Sequence, residues 1–294
     1  MRLFVTMQVP PFVPSLSNPE RSLSGNNNLS AFLRSRSRGL WLIFAIILLE
    51  VLVALTRRPE LWQNVIPALL VTFAFAVFAR SIGGITTSGA AAGFLVTCVL
   101  FITGGRAMFG AVLLVFVLTY LATRFGRPHK LQLAIAERAA GRDGAQVLAN
   151  VGLAALVAAL ACLTPWRAPL LTASIAALAE AACDTVSSET GKALAQSARV
   201  ITSWRSVPAG TDGAISLPGT LLGTAAAVLV GSEAVATNLL SLRCAVIAAV
   251  AGTLGMLFDS ILGATYERNG GLTNNTVNLI STAFAVLVAA VLAQ

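Results

Sequence analysis

The chain has 294 residues, of which 56% are hydrophobic and only 11% are charged, and its mean hydropathy is +0.82. Soluble domains carry about 25% charged residues, so this composition excludes an ordinary water-soluble globule and indicates an integral membrane protein. The net charge is +8, but the basic residues separate apolar segments, as topology-setting charges do, and no groove-reading motif accompanies them. Nucleic acid is therefore not an expected partner.

The first segment, residues 1–38, is rich in Pro, Ser, Asn and Arg. Such a composition cannot build an apolar core, so it predicts a disordered basic tail. A membrane domain, 39–294, follows. Its apolar segments lie at 40–55, 62–79, 85–103, 107–123, 146–163, 168–190, 217–231, 242–260 and 274–293. Their length and hydropathy predict an all-α fold, a polytopic transmembrane helix bundle of about nine spans.

The basic residues favour one orientation in the membrane. If the arginines at 34–38 are cytoplasmic and every segment crosses, all but five of the 20 Lys and Arg residues fall inside, the exceptions being Arg57, Arg58, Arg106, Arg167 and Arg243. This bias predicts a multi-pass protein of the cytoplasmic membrane with a cytoplasmic N-terminus. It also brings three polar clusters, 124–150, 180–213 and 259–278, to the cytoplasmic face, where they can form one site.

The central cluster begins inside an apolar, Ala/Leu-rich segment. Glu180 and Asp184 lie one helical turn apart, Ser187 and Ser188 extend that face, and Glu189 comes near the helix end. An ionised group at bilayer depth costs at least about 2.5–3.5 kcal/mol, so such groups indicate a functional site. Carboxylates with hydroxyls suit Mg²⁺. The alternative is a buried carboxylate that is merely satisfied by hydroxyl and backbone donors.

The turn-rich stretch 207–216 overlaps the end of the cluster 180–213. Gly210, Thr211, Asp212 and Gly213 lie at its centre. Glycines beside Pro and Asp can aim several N–H groups at one anion, with Arg205 just upstream. Ordinary surface turns have the same composition, so both interpretations stay open. The stretch is not a Walker A loop, because the GxxxxGK[ST] pattern is absent.

The remaining polar positions fall at predicted helix ends. Asp259 closes one span, Gln146 and Asn150 lie one turn apart as another begins, and Asn274 and Asn278 open the last. A pocket explains this grouping. N-capping and hydrogen bonding between helices explain it as well.

These clusters carry a resemblance to a known family. The blocks 141–150, 184–189, 207–220, 259–264 and 274–278, in this order, resemble an integral-membrane family that includes plant phytyl-phosphate kinase and eukaryotic transmembrane protein 19. The similarity covers about residues 60–294. The chain departs from the pattern at Thr273 and Asn275, where members of the family tend to carry Asp.

The resemblance implies phosphoryl transfer from a nucleotide triphosphate, with CTP among the donors, to a membrane-embedded isoprenoid monophosphate. It implies a catalytic set of Asp184, Glu189, Asp259 and Lys192, in which the three carboxylates hold Mg²⁺. It also implies a substrate- and phosphate-binding set of Arg142, Gln146, Asn150, Ser187, Ser188, Arg205, Gly210, Thr211, Asp212, Gly213, Asn274 and Asn278. The oligomeric state is not indicated.

Two other functions are compatible with the sequence. An ion-coupled transporter could use Glu50, Glu180, Asp184 and Asp259 as an ion path, but it needs polar groups reachable from both faces. A non-catalytic lipid-binding membrane protein explains the many Gly and Ala residues but gives the carboxylates no role.

Overall fold

The computed structural model describes residues 46–133, 135–136 and 141–294. The predicted tail 1–38 and the start of the first predicted span lie outside the described residues. The helices are α1 (residues 46–57), α2 (Trp62–Ser81), α3 (Thr87–Arg124), α4 (Arg127–Gln132), α5 (Gly144–Leu163), α6 (Arg167–Leu194), α7 (Leu217–Ala236), α8 (Leu242–Glu267) and α9 (Asn274–Leu292). The prediction of a polytopic helical membrane protein is confirmed.

Helix α3 is two passes joined at a break. Its 38 residues would form a rod of about 57 Å, nearly twice the hydrocarbon thickness of about 30 Å. Gly105 interrupts the helix with φ +64° and ψ −153°, a conformation that glycine adopts most readily. The Tyr120 hydroxyl and the Arg124 guanidinium donate to the carbonyl of Ile82, at 3.3 and 2.9 Å. The end of α3 therefore lies beside the residues that precede its start.

Within the described residues, seven helices are long and apolar enough to cross a membrane, and α3 is one of them. Because α3 reverses at Gly105, it accounts for both predicted segments, 85–103 and 107–123. With α1 added, the count is compatible with the predicted nine or so.

Helix α6 lies at the centre of the bundle. In its apolar 18-residue stretch 83% is buried, against at most 50% in the other candidate spans. Glycines on neighbouring helices allow this burial. A Cβ added at Gly223 of α7 would lie 2.6 Å from the carbonyl of Cys183, and one at Gly252 of α8 would lie 2.8 Å from the nitrogen of Glu180. Close backbone contact through small residues is how helices associate in lipid. The acidic segment of α6 therefore lies inside protein.

A small antiparallel sheet interrupts the helical fold between α6 and α7. Strand β1 (Ala198–Val200) lies between β2 (Ser206–Val207) and β3 (Ala214–Ile215). The sequence predicted only turns here, because strands of two or three residues are too short to show an alternating pattern. The sheet anchors both ends of the loop 208–213.

Two helices contain a π-helical turn, Leu148–Gly152 in α5 and Gly263–Glu267 at the end of α8. Such turns widen a helix locally and occur frequently at functional sites. Both lie at the end of the bundle where α6 ends and α9 begins.

Candidate functional site

A polar cavity of about 190 Å³ lies at this end of the bundle. Helices α5, α6, α8 and α9 and the loop 208–213 form its walls. Fifteen of the sixteen predicted site residues line it: Arg142, Gln146, Asn150, Asp184, Ser187, Ser188, Glu189, Lys192, Gly210, Thr211, Asp212, Gly213, Asp259, Asn274 and Asn278. Residues of the three predicted polar clusters, 124–150, 180–213 and 259–278, thus line one cavity.

Arg205 is the exception. It lies in the exposed turn between β1 and β2, where its carbonyl accepts a hydrogen bond from Val200 N at 3.1 Å. The pairing of Arg199 with Ser206 closes this turn outside the cavity wall. Arg205 therefore does not line the cavity in this structure, and its assignment to phosphate binding stays a prediction.

Arg142 is fixed by its backbone and by α6. Its N–H donates to the carbonyl of Gly84 at 3.2 Å, and its own carbonyl accepts from Thr86 N at 2.9 Å, which ties it to the start of α3. Its guanidinium donates to the hydroxyl of Thr185 at 3.3 Å. One cation is thus held at the cavity edge beside Asp184.

The start of α5 gives Gln146 a structural role. The Asp143 carboxylate accepts from Gln146 N at 2.9 Å, and the Gln146 side-chain oxygen accepts from Asp143 N at 3.0 Å, a complete capping box. One turn later, Asn150 accepts a 2.7 Å hydrogen bond from the Asn278 side chain. These amides therefore have both of the roles that the sequence allowed. They cap a helix or link two helices, and they also line the cavity.

Glu180 lies below the cavity floor rather than in its lining. Its side chain is 2% exposed, and it accepts hydrogen bonds from Ser281 at 2.9 Å and Thr282 at 2.6 Å. The Ser281 hydroxyl also lies 3.1 Å from Asp259 Oδ2, so one serine connects two carboxylates. Asp184 follows Glu180 by one turn on α6, so three carboxyl groups are grouped at the floor of the cavity.

Lys130 is a site component that sequence reasoning missed. It belongs to the basic stretch Arg127-Pro128-His129-Lys130, yet its side chain is 0% exposed. Its ammonium donates to Glu189 Oε2 at 2.6 Å and to the carbonyls of Ala122 and Thr123 at 3.2 and 2.9 Å, so all three of its protons have acceptors. Its burial arises because α4 folds back onto the end of α6, and no local pattern reveals this.

Glu189 is held between two lysines. Its second oxygen accepts a 2.9 Å hydrogen bond from Lys192, whose side chain is 22% exposed. Among the described residues, no three acidic, His or Cys side chains are grouped so that they could hold a metal ion. Both oxygens of Glu189 have cationic partners in this structure, and its assignment as a third metal ligand beside Asp184 and Asp259 stays a prediction.

The loop 208–213 is seated on the π-helical turn of α8. Gly213 has φ +70°, and a Cβ there would collide with the backbone nitrogen of Ala264. Thr211 closes the turn by donating to the carbonyl of Pro208 at 2.8 Å. The loop thus forms a fixed wall of the cavity opposite α6.

Replacing Gly213 with Ala tests this seating. We expect the variant to lose more than about 2 kcal/mol of stability and most of any activity of the site, because the left-handed backbone costs about 1–2 kcal/mol and the Cβ clash adds to it. Gly210→Ala is the matched control. It shares the positive φ of +87° but would contact only the Ile135 side chain, at 3.2 Å. Equal thermal midpoints for the two variants in detergent would contradict the seating.

The fold and the cavity define a polytopic membrane protein with an acidic and amide-rich site at one end of its helices. The chain matches the family described as integral membrane protein DUF92 over residues 70–286, and it belongs to that family. No solved structure is significantly similar to it.

Three relatives illustrate the range of the similarity. Protein PGR of Arabidopsis thaliana is 35% identical over 209 residues, which cover 62% of this chain and 72% of the relative. Protein VTE6, chloroplastic, of the same plant is 29% identical over 219 residues, 72% of this chain and 66% of the relative. An uncharacterized membrane protein of Synechocystis sp. is 33% identical over 185 residues, 60% of this chain and 70% of the relative.

Proposed function

We propose that this protein is a membrane-embedded prenyl monophosphate kinase that transfers a phosphoryl group from a nucleotide triphosphate to an isoprenoid monophosphate. The family assignment and the resemblance of the five ordered sequence blocks to the family of plant phytyl-phosphate kinase support the reaction class. The site would face the cytoplasm, where nucleotides are available.

The observation that carries the proposal is the charge of the cavity. Among the described residues, its lining contains five acidic side chains, Asp184, Glu189, Asp212, Asp259 and Glu267, and two basic ones, Arg142 and Lys192. Lys130, which is paired with Glu189, adds a third basic group, so the acidic side chains still outnumber the basic ones. A cavity with this excess of carboxylates repels a phosphate anion unless a cation enters with it. Phosphoryl transfer from a nucleotide uses a divalent cation in this way.

The donor set fits magnesium in part. Mg²⁺ is usually held by one or two carboxylates and completes its shell with water and phosphate oxygens. Asp184 and Asp259 would hold it here, while Glu189, the third predicted ligand, enters the proposal as the anchor of Lys192. When bound, the ion would neutralise charge that develops on the phosphate oxygens.

The chain's own cations and donors would position the two phosphates. Lys192 and Arg142 reach the cavity from α6 and from the start of α5, and each is held by a defined partner. The backbone N–H groups of the loop 208–213 and the amides of Asn150, Asn274 and Asn278 line the remaining walls. The acceptor phosphate is already an anion, so its attack requires no general base, and positioning with charge neutralisation suffices.

The test is a direct assay of the purified protein in detergent. We expect it to convert a C20 isoprenoid monophosphate to the diphosphate with CTP or another nucleoside triphosphate, and we expect turnover to depend on Mg²⁺. Products are separated by chromatography with a γ-³²P-labelled donor. A panel of four nucleoside triphosphates and acceptors from C5 to C20 that yields no labelled diphosphate would contradict the proposal.

The transporter alternative has less support in this structure. Buried polar contacts reach from the cavity to Glu180, but the α6 residues directly beyond it, 175–179, are Ile, Ala, Ala, Leu and Ala, and all are buried. An ion path through this part of the bundle would need acceptors where α6 supplies none.

A further inference from the structure

A second cavity adjoins the polar one and has the opposite character. It has a volume of about 120 Å³ and lies between α2, the two halves of α3 and the start of α5. Arg142, Gln146 and Asn150 line both cavities, so the two spaces meet at these side chains.

The walls of this second cavity are apolar along most of its length. Phe75, Phe116 and Tyr120 form an aromatic wall, with ring centroids 5.1 Å apart for Phe75–Phe116 and 5.8 Å apart for Phe116–Tyr120. Thr97 and Thr123 also line it, but their hydroxyls donate to carbonyls of their own helices at 2.7 and 2.8 Å. Their polar hydrogens are therefore satisfied, and an apolar ligand can lie against them.

One end of the cavity is basic. Arg124, Arg127 and Arg142 lie there, at the same end of the bundle as the polar site. From this end the lining runs along α3 from Gly89 to Thr97 and from Thr123 back to Val112, which corresponds to about 12 to 16 Å. Roughly ten carbons of an extended chain can lie along this length, but the volume of about 120 Å³ encloses only part of them, since a cavity of about 150 Å³ accommodates benzene.

We propose that this cavity binds the isoprenoid tail of the acceptor, with the first ten or so carbons lying along its walls and the monophosphate held at Arg142 in the polar cavity. The inference rests on the proposed function for the identity of the head group. The shared lining at Arg142, with Arg124 and Arg127 at the same end of the second cavity, matches an anion joined to a hydrocarbon chain. A longer tail would continue between α2 and α3 into the lipid.

A larger side chain at position 93 is expected to fill the second cavity. Gly93 lies on α3 and lines the cavity, and a Cβ added there would meet nothing within 4 Å. A leucine at this position would therefore project into the space meant for the tail, and leucine is a better helix former than glycine. Ala91→Leu is the matched control, because Ala91 lies two residues away on an exposed face of the same helix.

The experiment is photo-cross-linking with a C20 isoprenoid monophosphate that carries a diazirine within its first ten carbons. In the full-length protein in phospholipid nanodiscs, we expect cross-linked peptides from 75–84 and 112–123. Labelling should be competed by unlabelled C20 monophosphate, should fall about tenfold in Gly93→Leu and should persist in Ala91→Leu. Labelling that is equal in Gly93→Leu, or that is competed only by excess phospholipid, would overturn the tail site.

Turnover measurements separate this inference from the proposed function. Gly93→Leu is expected to raise the KM for the C20 monophosphate about tenfold and to raise the KM for a C5 monophosphate much less, because five carbons reach only the part of the cavity next to Arg142. An equal rise for both acceptors would overturn the tail site while kinase activity stands. If the wild type turns over neither acceptor, the kinase proposal fails. The cross-links alone then decide whether the second cavity binds an isoprenoid.

Discussion

Replacing Asp184 with Asn is expected to lower kcat by about 10³-fold, which corresponds to about 4 kcal/mol of transition-state stabilisation. Asp184 lies in the cavity wall on the central helix, and Asp259 lies across from it on α8. The substitution keeps the shape of the side chain and removes the charge that would hold Mg²⁺, so higher Mg²⁺ concentrations are not expected to restore the rate.

Stability should not fall with activity in this variant. Asp184 lies near two other carboxyl groups, Glu180 and Asp259, so a neutral Asn of the same shape is expected to leave the thermal midpoint in detergent unchanged or slightly raised. Asp143→Asn is the matched control, because Asn caps a helix as well as Asp and Asp143 only caps α5. Turnover above a third of the wild-type rate in Asp184→Asn would remove this residue from the metal site.

Replacing Lys130 with Met is expected to destabilise the protein by about 3–5 kcal/mol, because it leaves the Glu189 carboxylate buried with only one of its two cationic partners. The Lys130–Glu189 pair is almost fully buried, at 0% and 2% side-chain exposure, so solvent does not screen it. The measurement is the thermal midpoint in one fixed detergent. A midpoint within about 2 °C of the wild-type value would contradict the role assigned to the pair.

A double variant separates stability from positioning. Lys130→Met with Glu189→Met should recover most of the stability, since an apolar pair of similar volume replaces two buried charges. It should stay poorly active, because Lys192 then lacks the carboxylate that holds it toward the cavity. Lys192→Met is the control. It should lose activity yet cost no more than about 1 kcal/mol, because Lys192 is partly exposed and Glu189 keeps Lys130. Full activity in the double variant would show that Glu189 does not position Lys192.

The helical passes could be predicted from the sequence because hydropathy is a local property. The predicted boundary between the segments 85–103 and 107–123 coincides with the break in α3. Gly105 adopts the non-helical conformation that makes this break. The short sheet could not be predicted, because β1 pairs with β2 and β3 through contacts that the strand sequences do not specify.

The sequence by itself determined that the chain lies in a membrane and which polar residues are too costly there to be incidental, because burial of Asp184 or Asp259 in lipid has a high free-energy cost wherever it occurs. Only the tertiary structure decided which partners these residues meet. Glu189 is paired with a lysine 59 positions away, Asn150 with an asparagine 128 positions away, and Arg205 lies outside the cavity lining. Pairing depends on how helices and strands pack, and no local residue pattern encodes a contact across such distances.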